Sequence, residues 1–166
     1  WKALTNTIIY AFGAVPLSTC CGLLLALLLH SKFTKYPAFY RAGLFLPSVT
    51  SIIVITLIFT NLYAKDGYIN ALAEIIGLPQ SEKGFLLEPS TALFSVMLMD
   101  VWLSTGYYMM LFLAGLQSIP KDIYESAYLQ GAHALQILRR ITLPLLKPTI
   151  LFVMVISTIK SLQIFV

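Results

Sequence analysis

Few side chains in this 166-residue chain are placed to make or break a bond. Cys20 and Cys21 are adjacent inside one apolar run, and His30 and His133 lie far apart. That spacing gives neither a disulfide framework nor a metal-ligand set. No glycine-rich loop followed by Lys and Ser/Thr is present to cradle phosphates. The residues that stand out are charges in apolar surroundings. Asp100 alone interrupts residues 91–117, and Lys160 lies within the last apolar run, beyond Lys147 at its entrance. Ionisable groups in such places pair, line a water-filled cavity or mark a pathway, so their chemistry is binding and positioning. The other unusual feature is a polar elbow, "GLQSIPKDIYESAYLQGAHALQILRRITLPLLKP", from Gly115 to Pro148. It sets two acids, four bases and three prolines between two apolar segments.

The elements around these residues belong in lipid. Hydrophobic residues make up 58% of the chain and charged residues 11%, against roughly 25% charge in soluble domains, and the mean hydropathy is +0.85. A soluble core cannot bury so much apolar surface, whereas a bilayer accepts it. The net charge of +4 does not indicate nucleic acid, because the bases flank apolar runs and are not interleaved with exposed aromatics.

The expected fold class is all-α, a polytopic membrane helical bundle. Four spans are predicted, at about 4–29, 42–64, 91–117 and 141–166. The second, with "SVTSIIVITLIF", is rich in β-branched residues, but an isolated strand in lipid would leave its backbone unpaired, so helix wins. Pro47 is tolerable there near a helix start or as a kink. In the connection 65–90, Ile69, Leu72, Ala73 and Ile76 share one face of a short helix at i, i+3, i+4 and i+7. That helix is expected along the membrane surface, ending near Gly77 and Pro79.

Charge sets the orientation. Lys32, Lys35 and Arg41 occur without an acid, and the elbow holds Lys121, Arg139, Arg140 and Lys147 against Asp122 and Glu125. The connection 65–90 holds Lys65 and Lys83 against Asp66, Glu74, Glu82 and Glu88. The positive-inside rule places the first two in the cytoplasm and 65–90 outside it. The chain opens at the edge of one apolar run and stops inside another, so it is read as a piece of a longer subunit with at least one further span at each end.

Within the elbow, residues 118–140, Pro120 suits a first helical turn and Asp122 and Glu125 sit near that helix's positive end. Gly131 permits a sharp reversal, and Arg139 and Arg140 lie at the far end. Two short helices joined at a bend result. By pattern alone, this is equally a connector packed on the bundle or a docking element.

Here the residues resemble a known family. "ESAYLQGAHALQILRRITLPLLKP" is similar to the cytoplasmic motif of the membrane subunits of binding-protein-dependent ABC importers. Glu125, Ala127, Gly131, Ala132, Ile141, Leu143 and Pro144 match it, while Ser126, Gln130 and Leu138 depart from the usual Ala, Asp and Phe. Asn6 and Thr7, "FYRAGLFLPSV", "DGYINALAEIIG", "VWLSTGYYMMLFLAGLQSIP" and "SLQIF" extend the likeness to the sugar-transporting branch, similar to maltose and glycerol-3-phosphate permease subunits.

The resemblance implies a subunit of about six spans, of which about four lie here, in a bacterial cytoplasmic membrane. It implies a pathway for a sugar or polyol phosphate and, as partners, a second permease subunit, two ATPase subunits and an extracytoplasmic substrate-binding protein. No cofactor is expected on this chain; ATP and Mg would sit on the ATPase subunits. Glu125, Ala127, Gly131 and Ala132 would form the coupling element. Asp100 would face the pathway, pair within the bundle or reach interfacial water. Asn61, Ser104, Thr105, Tyr107 and Tyr108 would hydrogen-bond a sugar or pack helices. An ion-gradient-driven transporter and a noncatalytic membrane scaffold are the alternatives; the first would need paired intramembrane charges.

Overall fold

The computed structural model describes residues 1–30, 36–75, 77, 81 and 83–163, without the side chains of residues 2 and 37. Lys32, Lys35, Ile76, Pro79, Glu82 and the end of the last apolar run, 164–166, lie outside the described residues. Among the described residues the regular structure is helical, with no strand.

Two helices are each long and apolar enough to cross a bilayer. α1 (Lys2–His30) and α5 (Ala92–Gln117) are roughly 43 and 39 Å long at 1.5 Å per residue. They run parallel: Tyr10 meets Asp100 near one end, and further along Gly22 packs against the backbone of Tyr108 and Met109. α9 (Lys147–Gln163) runs antiparallel to both. Its start lies against Gly115 through Leu146 and Thr149, and Lys160 near its end reaches Asp100. Tyr108, Met109, Phe112, Leu116, Leu146 and Val153 form the dense apolar core between the three helices.

The run 42–64, expected as one helix, is broken. α2 (Pro37–Val49) and α3 (Ile52–Leu62) meet at 92°. Thr50 is extended, with φ −77° and ψ 147°, and Ser51 follows at ψ 129°. Pro47 cannot donate to the preceding turn, and its carbonyl is taken by the Thr50 N–H in a tight three-residue closure. The Ser48 hydroxyl is held by the Leu103 carbonyl of α5 at 2.6 Å. Together these features favour a break two residues past Val49, which the charge-free composition concealed.

The connection between α3 and α5 is a built loop. Of the expected apolar stripe on α4 (Tyr68–Ile75), Ala73 and in part Ile69 turn inward and Leu72 outward, beside an inward Asn70. The Asn70 side chain donates to the Lys65 and Ser81 carbonyls and accepts from the Ser81 N–H. Satisfying three backbone groups in this way fixes the inward face of α4 at Asn70.

Beyond α5, α6 (Lys121–Leu129) leads to Gly131, then α7 (Ala134–Ile137), a π-helical turn Leu138–Thr142, and α8 (Leu143–Leu145). A 63° bend before Lys147 separates this segment from α9. The bent pairs α2–α3 and α7–α9 each pass the length and apolarity test when joined, so up to four spans are present.

Candidate functional site: an intramembrane ion pair and an exposed elbow

The three long helices are joined by polar contacts at one level. The Tyr10 hydroxyl donates to Asp100 Oδ2 at 2.9 Å, and Ser104 Oγ donates to Asp100 Oδ1 at 3.2 Å. The Lys160 ammonium lies 2.6 Å from Asp100 Oδ1 and also donates to Ser104 Oγ. This is the ion pair found among the described residues. Asp100 and Ser104, one helical turn apart, share a face of α5. Burying a carboxylate is costly unless it is paired and hydrogen-bonded, and here it has three donors from three helices.

Sequence reasoning named Asp100 and Ser104, and the structure brings them together. Tyr108 is buried beside them, and Tyr107 is partly exposed with its ring 5.8 Å from that of Tyr108. Thr105 turns away: it bonds the Val101 carbonyl and lines an apolar groove of about 710 Å³ with Leu17, Cys21, Leu44 and Trp102. Asn61 sits apart on α3 and donates to its own helix at Leu57. Lys160, singled out in the sequence as a structural or pathway residue, joins Asp100 and Ser104, as the rule that intramembrane charges find partners requires. One member was missed: Tyr10 carried no signal beyond a phenol in a charge-free run.

The elbow is the second region. Gly131 has φ +77°, the left-handed region that side chains with a Cβ resist. The Ala132 N–H donates to the Ala127 carbonyl and the Gly131 N–H to the Tyr128 carbonyl, both at 3.0 Å. This pair of bonds is the Schellman closure of α6. His133 and Gln136 then exchange hydrogen bonds as a capping box that starts α7. Pro120 is the residue before α6 and not within its first turn. Tyr124 contacts Thr142 through their hydroxyls at 3.3 Å and packs on the core, anchoring one face of α6. Ala127 is buried, whereas Glu125, Tyr128 and Leu129 are exposed, Leu129 to 90%. The elbow thus presents a rigid surface carrying an acid, an aromatic ring and an aliphatic knob.

Comparison with known proteins covers nearly the whole chain. The family described as "Binding-protein-dependent transport system inner membrane component" matches residues 6–166. The lactose transport system permease protein LacF of Rhizobium radiobacter is 35% identical over 99% of this chain and 55% of its own length. The trehalose/maltose transport system permease protein MalF of Thermococcus litoralis is 34% identical over 99% of this chain and 55% of its own. The chain spans about half the length of such relatives. A solved bacterial ABC transporter involved in the import of the acidic polysaccharide alginate superposes with a TM-score of 0.87 at 27% identity, covering 98% of this chain and 57% of that one. A second alginate ABC transporter structure, in complex with a periplasmic protein bound to an alginate pentasaccharide, gives a TM-score of 0.82 at 28% identity, covering 92% of this chain and 53% of that one. The fold is that of an ABC importer permease, and the chain belongs to the family of binding-protein-dependent transport system inner membrane components.

Proposed function

We propose that this chain is the pathway-forming part of a membrane subunit in an ATP-driven importer of a sugar or a related polyol phosphate. Its place is a bacterial cytoplasmic membrane, crossed several times. It would act with a second permease subunit, two ATPase subunits that carry ATP and Mg, and an extracytoplasmic substrate-binding protein. The observation that carries the reading is similarity along nearly the whole chain to permeases named for lactose and for trehalose/maltose. The alginate transporter solved with a periplasmic protein supports the binding-protein partner.

The mechanism follows from the geometry. Closure of the ATPase pair would push on the elbow at Glu125, Tyr128 and Leu129. The Schellman closure at Gly131 and the Tyr124 anchor make that segment stiff, so the push passes to α5 and α9. These helices share an apolar core and are tied again at the level of Asp100, where the exposed Lys160 and Tyr107 would meet the sugar. Coupling requires that the ATPase bind the two states of the bundle with different affinity.

Reconstitution of the full transporter in proteoliposomes tests the reading. ATP-dependent uptake of a carbohydrate that needs the binding protein is the expected result. Uptake that persists without ATP and collapses with a protonophore would replace it with a gradient-driven carrier, the reading that the Asp100–Lys160 pair would otherwise suit.

A further inference from the structure

The polar cluster has one accessible member. The Asp100 side chain is 11% exposed and that of Lys160 is 45% exposed, while Ser104 and Tyr10 are buried. An ammonium is not left facing hydrocarbon, so the exposed side of Lys160 looks onto water or protein. An ammonium carries three N–H donors. Asp100 and Ser104 take two of them, which leaves one for a group arriving from the exposed side. Behind it, the Asp100 carboxylate cancels the charge at 2.6 Å. The arrangement offers a strong donor with almost no net field. Tyr107, seven residues beyond Asp100 on the same face of α5, is partly exposed and adds a phenol.

We propose that the Asp100–Lys160 pair sets the charge selectivity of the pathway, admitting uncharged polyhydroxyl substrates and disfavouring anionic ones such as uronates and polyol phosphates, which narrows the proposed substrate to the neutral sugar. This rests on the reading of α5 as pathway-lining given under the proposed function. An anionic sugar reaching Lys160 has to compete with Asp100 for the ammonium, at a separation where like charges repel strongly in a medium less polar than water. A neutral hydroxyl accepts the remaining N–H without disturbing the pair. Removal of Asp100 alone leaves a bare cation that favours acids. Removal of Lys160 alone leaves a bare anion that repels them.

The test uses the whole transporter in proteoliposomes, with a binding protein that loads both a neutral oligosaccharide and an oligouronate. Asp100→Asn raises the uronate-to-neutral uptake ratio about tenfold or more. Lys160→Gln lowers it, and the double variant Asp100→Asn/Lys160→Gln returns it to within about twofold of the starting value. A second readout needs no turnover. On a Cys20→Ser/Cys21→Ser background, Tyr107→Cys is labelled in membranes with anionic and cationic methanethiosulfonates. The anionic-to-cationic rate ratio rises with Asp100→Asn and falls with Lys160→Gln. If both ratios stay constant in all variants while uptake of the two substrates falls together, the pair is only a tie between helices and the proposal is overturned. Failure of the unaltered transporter to take up either carbohydrate would instead count against the importer reading.

Discussion

Ala132 donates its backbone N–H to the Ala127 carbonyl at 3.0 Å, across a Gly131 held at φ +77°. Three of the four residues assigned to the elbow motif are therefore one structural device. Ala127 supplies the carbonyl and is small enough to be buried, Gly131 supplies the left-handed turn, and Ala132 closes it. Glu125 stands on the exposed side of the same helix. The motif is thus three residues of architecture and one that faces outward.

Gly131 can be tested for conformation alone, because nothing lies within 4 Å of a Cβ placed there. Gly131→Ala forces an L-residue into the left-handed region at about 1–2 kcal/mol, whereas Asn visits that region more readily. Gly131→Ala is expected to lower binding-protein-stimulated ATPase activity about 5- to 30-fold without loss of membrane insertion. Gly131→Asn is expected to recover most of it. Equal activity of Ala, Asn and wild type would remove the turn from the coupling mechanism.

The contact surface is tested separately. Leu129→Glu places a charge on the most exposed apolar side chain of α6, and Glu125→Gln removes the acid without changing its shape. Both are expected to insert and fold normally, since neither position is buried. Leu129→Glu should reduce co-purification of the ATPase subunits by about tenfold or more, in line with losing a central apolar anchor. Retained association in both variants would place docking elsewhere.

Tyr10→Phe leaves the ring in its fully buried position and removes only the hydroxyl donated to Asp100. Hydrogen bonds between membrane helices are worth about 0.6 kcal/mol on average and up to about 1.7. A contact to a carboxylate belongs at the upper end, so the detergent-solubilised subunit should lose stability by about 1 to 2 kcal/mol in thermal denaturation. The same change in an Asp100→Asn background should cost less, because the acceptor is then uncharged. Additive losses would show that Tyr10 and Asp100 do not interact.

Much of the helix content was legible because lipid demands it: long charge-free runs have few alternatives to helix. The ion pair was half legible, since Asp100 and Lys160 are the charges interior to their apolar runs and such groups seek partners. Their third partner was not, because Tyr10 lies ninety positions from Asp100 and a phenol in an apolar run is unremarkable by type. The break at Thr50 and Ser51 was hidden for a related reason. Pro47 and the hydroxyls after it permit either a kinked span or two helices, and the choice is made by the close approach of α2 to α5 at Gly106, which Ser48 bonding to Leu103 reinforces. Asn70 shows the same limit: the three backbone groups it satisfies, which apolar periodicity does not register, fix the inward face of α4 there.

The last prediction concerns the approach of α2 to α5. At Gly106 an added Cβ would meet the Leu44 carbonyl and, at 3.0 Å, Ser48 Oγ. The neighbouring Ser48 hydroxyl bonds the Leu103 carbonyl at 2.6 Å, so the backbones are held together by contact and by a hydrogen bond one turn apart. Backbone cannot yield as a flexible side chain does, so Gly106→Ala must push α2 outward. Overpacking of this kind costs about 1–3 kcal/mol, and loss of the single hydrogen bond in Ser48→Ala about 1 kcal/mol. Because α2 carries the break into α3, its displacement should change the α2–α3 arrangement before it unfolds the α1–α5–α9 core. Distances between spin labels at exposed Tyr40 and exposed Ile58, measured in lipid, are expected to broaden in Gly106→Ala and remain narrow in Ser48→Ala. A narrow, unshifted distribution in Gly106→Ala would mean that the close approach does not hold the bend.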